Sequence, residues 1–179
     1  MKLKTLPVGA FLLAFLLLGC RPERTHTSAV NPRTMPFAKA GVSLAVGEEW
    51  QCRNASSEHG LYPPTLVSQA GTIRVVLLPP DRSDPSVVAD GLRADFDRNP
   101  HVAKHSFRKQ QFVTDSGVNG ICVSYLQQAG ASEGKAVEDY HYLIKNRAGR
   151  CVAINYLASA EGSETYPVRR MLLAGLRLQ

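Results

Sequence analysis

Four strand-length segments in the second half of the chain restrict its fold more than any other feature. Phe107 to Thr114, Val118 to Gln127, Val137 to Lys145 and Cys151 to Ala158 are rich in β-branched and aromatic residues, with Ile121, Val123 and Tyr125 on one face of the second. This is the pattern of strands that bury a face. Their links are Asp115-Ser116-Gly117, a Gly, Ala and Ser loop at 129–135, and Asn146-Arg147-Ala148-Gly149. The last of these is the clearest hairpin turn in the chain. Strands joined by hairpins favour an antiparallel sheet over a doubly wound parallel one.

The remaining elements fit around that sheet. Gly41 to Val46 reads as a strand, Gly47 and two glutamates as a turn, and Trp50 as the start of a second strand. A loop at 52–64 leads to strands at Thr65 to Ser68 and Ile73 to Leu78, which stop at Pro79-Pro80. Asp84 followed by Pro85 is a helix start, and Val88, Leu92 and Phe96 recur on one helical face until Asn99-Pro100. Gly91 inside that helix suggests close packing against the sheet. Ser163 can cap a second helix with Pro167 in its first turn and Val168, Met171, Leu172 and Gly175 buried, before a short strand at Leu176 to Leu178. The expected class is α+β: an antiparallel sheet flanked by a few helices.

The N-terminus points elsewhere. Lys2 and Lys4 precede an apolar run from Leu6 to Leu18 that ends in Gly19-Cys20 and turns polar at Arg21. A bilayer span needs about twenty apolar residues, so the run reads as a secretory signal. It resembles the bacterial lipoprotein signal, in which a small residue precedes the cysteine that is lipidated. That resemblance implies cleavage between Gly19 and Cys20, diacylglycerol on the Cys20 thiol, and acylation of the new amine. A plain secretory signal with an incidental cysteine is the alternative. Two or three acyl chains anchor permanently where one would be marginal. Arg21, in place of an aspartate, is similar to the outer-membrane type of Gram-negative sorting signal. The expected organisation is a signal peptide at 1–19, lipidated Cys20 and a disordered polar tether at 20–36, and one domain at 37–179.

Charge follows the same division. Of the net +6 of the whole chain, Lys2, Lys4, Arg21, Arg24, Arg33 and Lys39 against Glu23 account for all but one unit. The domain itself is nearly neutral and carries no basic footprint for phosphates, which argues against nucleic acid as a partner.

The opening Gly41-Val42-Ser43-Leu44 running to Trp50, the segment Gly117-Val118-Asn119-Gly120 leading into a strand that ends at Tyr125, the hairpin around Gly149 and a last helix ending in Gly175-Leu176 together resemble the PsbP-like α/β/α sandwich. That fold is known from an extrinsic subunit of the oxygen-evolving complex, from Ran-binding Mog-type proteins and from bacterial lipoproteins. The resemblance covers residues 37–179 and implies a module that binds or helps to assemble other proteins, without catalysis and without a cofactor.

Candidate chemistry is sparse. With Cys20 lipidated, Cys52, Cys122 and Cys151 remain in an oxidising compartment. Alternation places Cys122 and Cys151 on one side of the sheet, so they can bridge if their strands are neighbours. An intervening strand would separate their Cα atoms by roughly 9.5 Å, beyond the disulfide limit of about 7 Å. Cys52 could then pair with either, or all three could remain thiols. His59, His101, His105 and His141 lack metal-site spacing, so no metal is expected. Asp139 and His141 share a strand face, as an acid and its orienting partner might, but the sequence sets no nucleophile beside them. Tyr125, Tyr140, Tyr142 and Tyr156 read either as core or as the wall of a cleft for an apolar ligand. The expected function is a lipid-anchored, periplasm-facing accessory protein with an envelope protein as partner. Binding of an apolar small molecule is the runner-up, and a hydrolase the third reading.

Overall fold

A computed structural model describes residues 32–53, 64–103, 105–128, 136–159 and 165–179. In chain order the elements are β1 (Arg33–Phe37), β2 (Val42–Val46), β3 (Gln51–Arg53), β4 (Thr65–Ser68), β5 (Gly71–Leu77), α1 (Pro85–Arg98), β6 (Arg108–Val113), β7 (Asn119–Gln128), β8 (Ala136–Lys145), β9 (Cys151–Ala158), α2 (Thr165–Gly175) and β10 (Leu176–Leu178). A seven-stranded sheet has the order β3-β4-β5-β9-β8-β7-β6, and a three-stranded sheet the order β1-β2-β10. All pairings are antiparallel.

Antiparallel partners lie side by side on one face, so the register sorts the side chains. Leu66, Ile73, Val75, Ile154, Tyr156, Tyr142 and Ile144 point from the large sheet into the main core. There they meet Val42, Leu44 and Val46 of β2, Val168 and Leu172 of α2, and Leu176 of β10. The opposite face carries a smaller core in which Ala89 of α1 meets Val123, Leu143, Cys151 and Ala153. One helix therefore covers part of one face, and the second helix with the small sheet covers the other. No helix among the described residues is long and apolar enough to cross a membrane.

The strand pattern agrees with the sequence reading, but three details differ. The small sheet begins at Arg33, so the last residues of the stretch expected to be tether form an edge strand paired from Arg33↔Val46 to Phe37↔Val42. Backbone pairing does not require apolar side chains, and Pro36 is tolerated because an edge strand has one unpaired side. Met35 and Phe37 turn inward, and the Arg33 guanidinium donates to the Trp50 carbonyl. Gly91 does not pack against the sheet: an added Cβ there would meet no atom within 4 Å. The glycine that makes close contact is Gly175, where a Cβ would lie 2.5 Å from the Ala45 carbonyl oxygen. The third difference concerns the cysteines.

Candidate functional site

Cys122 stands in β7 and Cys151 in β9, with β8 between them. The register also puts them on opposite faces. Cys122 is level with Tyr142 and, through it, with Ile154 in the main core, whereas Cys151 is level with Lys145 and lies under α1. The expected bridge therefore does not form, and both thiols are free and buried. The sequence reading paired them because alternation within each strand fixes a phase but not which face of the sheet it occupies. Burial raises each thiol to about 11, which keeps both protonated and unreactive near neutrality. Cys52 is exposed on the edge strand β3. Gly19 and Cys20 lie outside the described residues, as do Ser163, expected as a helix cap, and His59.

The four tyrosines likewise divide between the two faces. Tyr140, Tyr142 and Tyr156 lie in the main core, with exposures of 4%, 3% and 1%. Tyr140 stacks on both of the others, with ring centroids 6.3 Å and 5.9 Å away. Trp50 meets Tyr156 edge-on, and Phe112 does the same to Tyr142. These rings are packed core, and of the three Tyr140 also lines a pocket. Burial pushes the Tyr156 hydroxyl up to about 12, and it donates to the Ala70 carbonyl at 2.9 Å. Tyr125 is level with Asp139 and so belongs to the α1 face.

Tyr125 completes a polar cluster there. The His141 Nδ1–H donates to Asn155 Oδ1 at 2.9 Å, while Nε2 lies 3.1 Å from the Tyr125 hydroxyl and 3.3 Å from Asp139 Oδ1. Burial, then Asp139, raises the Tyr125 pKa and keeps the phenol neutral. The expected juxtaposition of Asp139 and His141 is present. Both ring nitrogens are nevertheless engaged, by side chains that are not nucleophiles of the serine or cysteine type. A hydrolase would need one of these nitrogens facing a nucleophile or a substrate. His101 is exposed, and no group of three or more His, Cys, Asp or Glu side chains among the described residues is placed to hold a metal ion.

A pocket of about 290 Å³ opens on the other face, beside Tyr140. Its floor follows the register: Arg108 of β6 is level with Ser124 of β7, which is level with Tyr140 of β8. Gln110 stands two residues along β6, level with Cys122. Arg169 of α2 closes the far side, its guanidinium carbon 4.8 Å from the centre of the Tyr140 ring. The Tyr140 hydroxyl donates to Glu138 Oε2 at 2.7 Å, and its pKa is raised first by burial and then by that carboxylate. The Tyr142 hydroxyl lies beside the Arg169 guanidinium, which checks the rise that burial imposes on it. Neither that hydroxyl nor Arg169 Nε has a well-formed hydrogen bond among the described residues. His105 also lines the pocket.

Of these groups the sequence analysis singled out only Tyr140, Tyr142 and His105. Arg108 could have been found by extending the strand register one neighbour further. Arg169 carries no local signal, because the fold alone sets a helix near the C-terminus over β8.

The seven-stranded antiparallel sheet with α1 on one face and α2 plus the small sheet on the other matches known structures. The Ran-binding protein Mog1p of Saccharomyces cerevisiae superposes with a TM-score of 0.55 at 12% identity, over 83% of this chain and 96% of that one. PsbP of Synechocystis sp. PCC 6803 superposes with a TM-score of 0.51 at 9% identity, over 86% of this chain and 96% of that one. The fold is PsbP/Mog-like. At these identities the likeness is one of fold alone. No protein-family model matches the sequence, and no curated protein matches it.

Proposed function

We propose that the chain is a lipid-anchored accessory protein whose PsbP/Mog-like domain binds a protein partner in the bacterial envelope and does no chemistry itself. The observation that carries this reading is the fold shared, over 83% of the chain, with a protein that binds Ran. A fold does not by itself fix a function, which must be argued from the surfaces and sites it presents. The engaged state of both His141 ring nitrogens supports a structural role for the polar group most like a catalytic one. For placement, the support is the Lys2 and Lys4 start, the apolar run and Gly19-Cys20. Lipidated Cys20 would hold the domain on the periplasmic side of a membrane, and Arg21 favours the outer one.

Site-specific photocrosslinking in the native host tests the partner. A photoreactive residue replacing Gln111 on the exposed edge strand β6, or Thr72 on the open part of the α1 face, should yield a discrete crosslinked species of one size. Crosslinks at neither position, with the protein present at its native level in the membrane fraction, would overturn the reading.

A further inference from the structure

We propose that the pocket between β6, β8 and α2 binds a small carboxylate-bearing molecule. Three features of the pocket lead to this assignment.

The first is charge. Arg108 and Arg169 both line the pocket, and neither forms an ion pair within 4 Å among the described residues. The opposing acid is Glu138, one of whose oxygens already accepts from Tyr140. Two guanidinium groups against one partly satisfied carboxylate leave an excess of cationic donors, and a guanidinium matches a carboxylate in a planar, two-pronged arrangement.

The second is preorganisation. Arg169 lies over the Tyr140 ring, and that ring is fixed in the core with 4% exposure. A guanidinium held against an aromatic ring keeps its edge donors free for a ligand in the plane beside it. Its Nε is buried and has no protein acceptor among the described residues. A buried donor left without a partner is costly, so an acceptor arriving there is favoured.

The third is spacing. Arg108 and Tyr140 are two strands apart, roughly 9.5 Å between Cα atoms. Ser124 stands midway, and the Gln110 amide lies one step along β6. A carboxylate seated over Ser124 would meet donors from both sides and from the floor. A volume of about 290 Å³ suits a small molecule. Leu126 offers apolar surface for a short carbon skeleton, which inorganic phosphate lacks.

This assignment does not rest on the reading of a protein partner. The full mature chain in detergent micelles, labelled with ¹⁵N, would be titrated with sodium glutarate. Sodium phosphate and sodium chloride at matched ionic strength serve as comparisons. Glutarate should give saturable shifts at Ser124, Gln110, Arg108 and the Arg169 side chain. Arg108→Gln, a change on an exposed edge strand, should weaken binding roughly ten-fold or more. Arg169→Lys, which keeps the charge but loses the planar fork, should do the same. Arg177→Gln, outside the pocket, should bind as the wild type does. No saturation with glutarate, an equal response to chloride, tighter binding of phosphate, or unchanged affinity in Arg108→Gln would each overturn the assignment.

Discussion

Replacing Gly175 with alanine sets two opposed effects against each other at the junction of α2 and β10. Alanine is favoured over glycine in a helix by about 1 kcal/mol, and by less at the last helical turn. Gly175 has no positive φ that would strain the new side chain. The opposing effect comes from packing. The added Cβ would lie 2.5 Å from the Ala45 carbonyl oxygen, 3.0 Å from its nitrogen and 3.1 Å from its Cβ. Two of these three contacts are with backbone, in a strand held by β1 on one side and β10 on the other. Ala45 therefore cannot yield without breaking sheet hydrogen bonds. Overpacking of a rigid site costs about 1–3 kcal/mol, which against a helix gain of about 0.5 kcal/mol leaves a net loss of about 0.5–2.5 kcal/mol. For a domain of this size that lowers Tm by about 1–10 °C. Thermal unfolding of the full mature chain followed by circular dichroism reads it directly. An unchanged or raised Tm would refute the close seating of α2 on β2, and with it the placement of Arg169 over Tyr140.

Gly91→Ala should move the other way, raising Tm by about 2–4 °C, because the site is open and only the helix preference of about 1 kcal/mol remains. The Asp84 carboxyl, held below its ordinary value of 3.8 first by the Ser86 N–H and also by Lys145, stabilises α1 above that pH and ceases to do so as pH falls through the lower folded-state value. In urea titrations, Asp84→Ala should therefore be less stable than wild type at pH 7, with the gap narrowing at pH values below that folded-state pKa. Native protein at pH 8 should react quickly with a thiol reagent at Cys52, whereas Cys122 and Cys151, raised to about 11 by burial, should react only after denaturant is added. Non-reducing intact mass should show no loss of hydrogen from a bridge between the last two.

Much of this fold was legible because its signals are local. Alternation in Val118 to Gln127, Val137 to Lys145 and Cys151 to Ala158 locates three interior strands, and Asp84-Pro85 locates the start of α1 to the residue. Relations between elements were less accessible. Strand phase says which residues of one strand share a face, but pairing decides which face of the sheet that is. Alternation alone therefore puts Cys122 and Cys151 on one side and groups Tyr125 with three tyrosines of the opposite face. β1 was missed because Arg33 to Pro36 has a polar, proline-containing sequence whose order comes from pairing with β2. The pocket depends on a contact between α2 and β8 across the fold, and no spacing within either element encodes it. The Asp139 and His141 pair was visible as alternation, whereas its closure by Asn155 and Tyr125 depended on neighbours two strands apart.

The proposed placement of this domain in the cell depends on one residue, and mass spectrometry of the protein purified from its native host tests it most directly. The account predicts a mature chain that begins at Cys20 and carries the added mass of a diacylglycerol and an amide-linked acyl chain. A chain that begins at any other residue, or one that begins at Cys20 without lipid and remains in the soluble fraction, would contradict it.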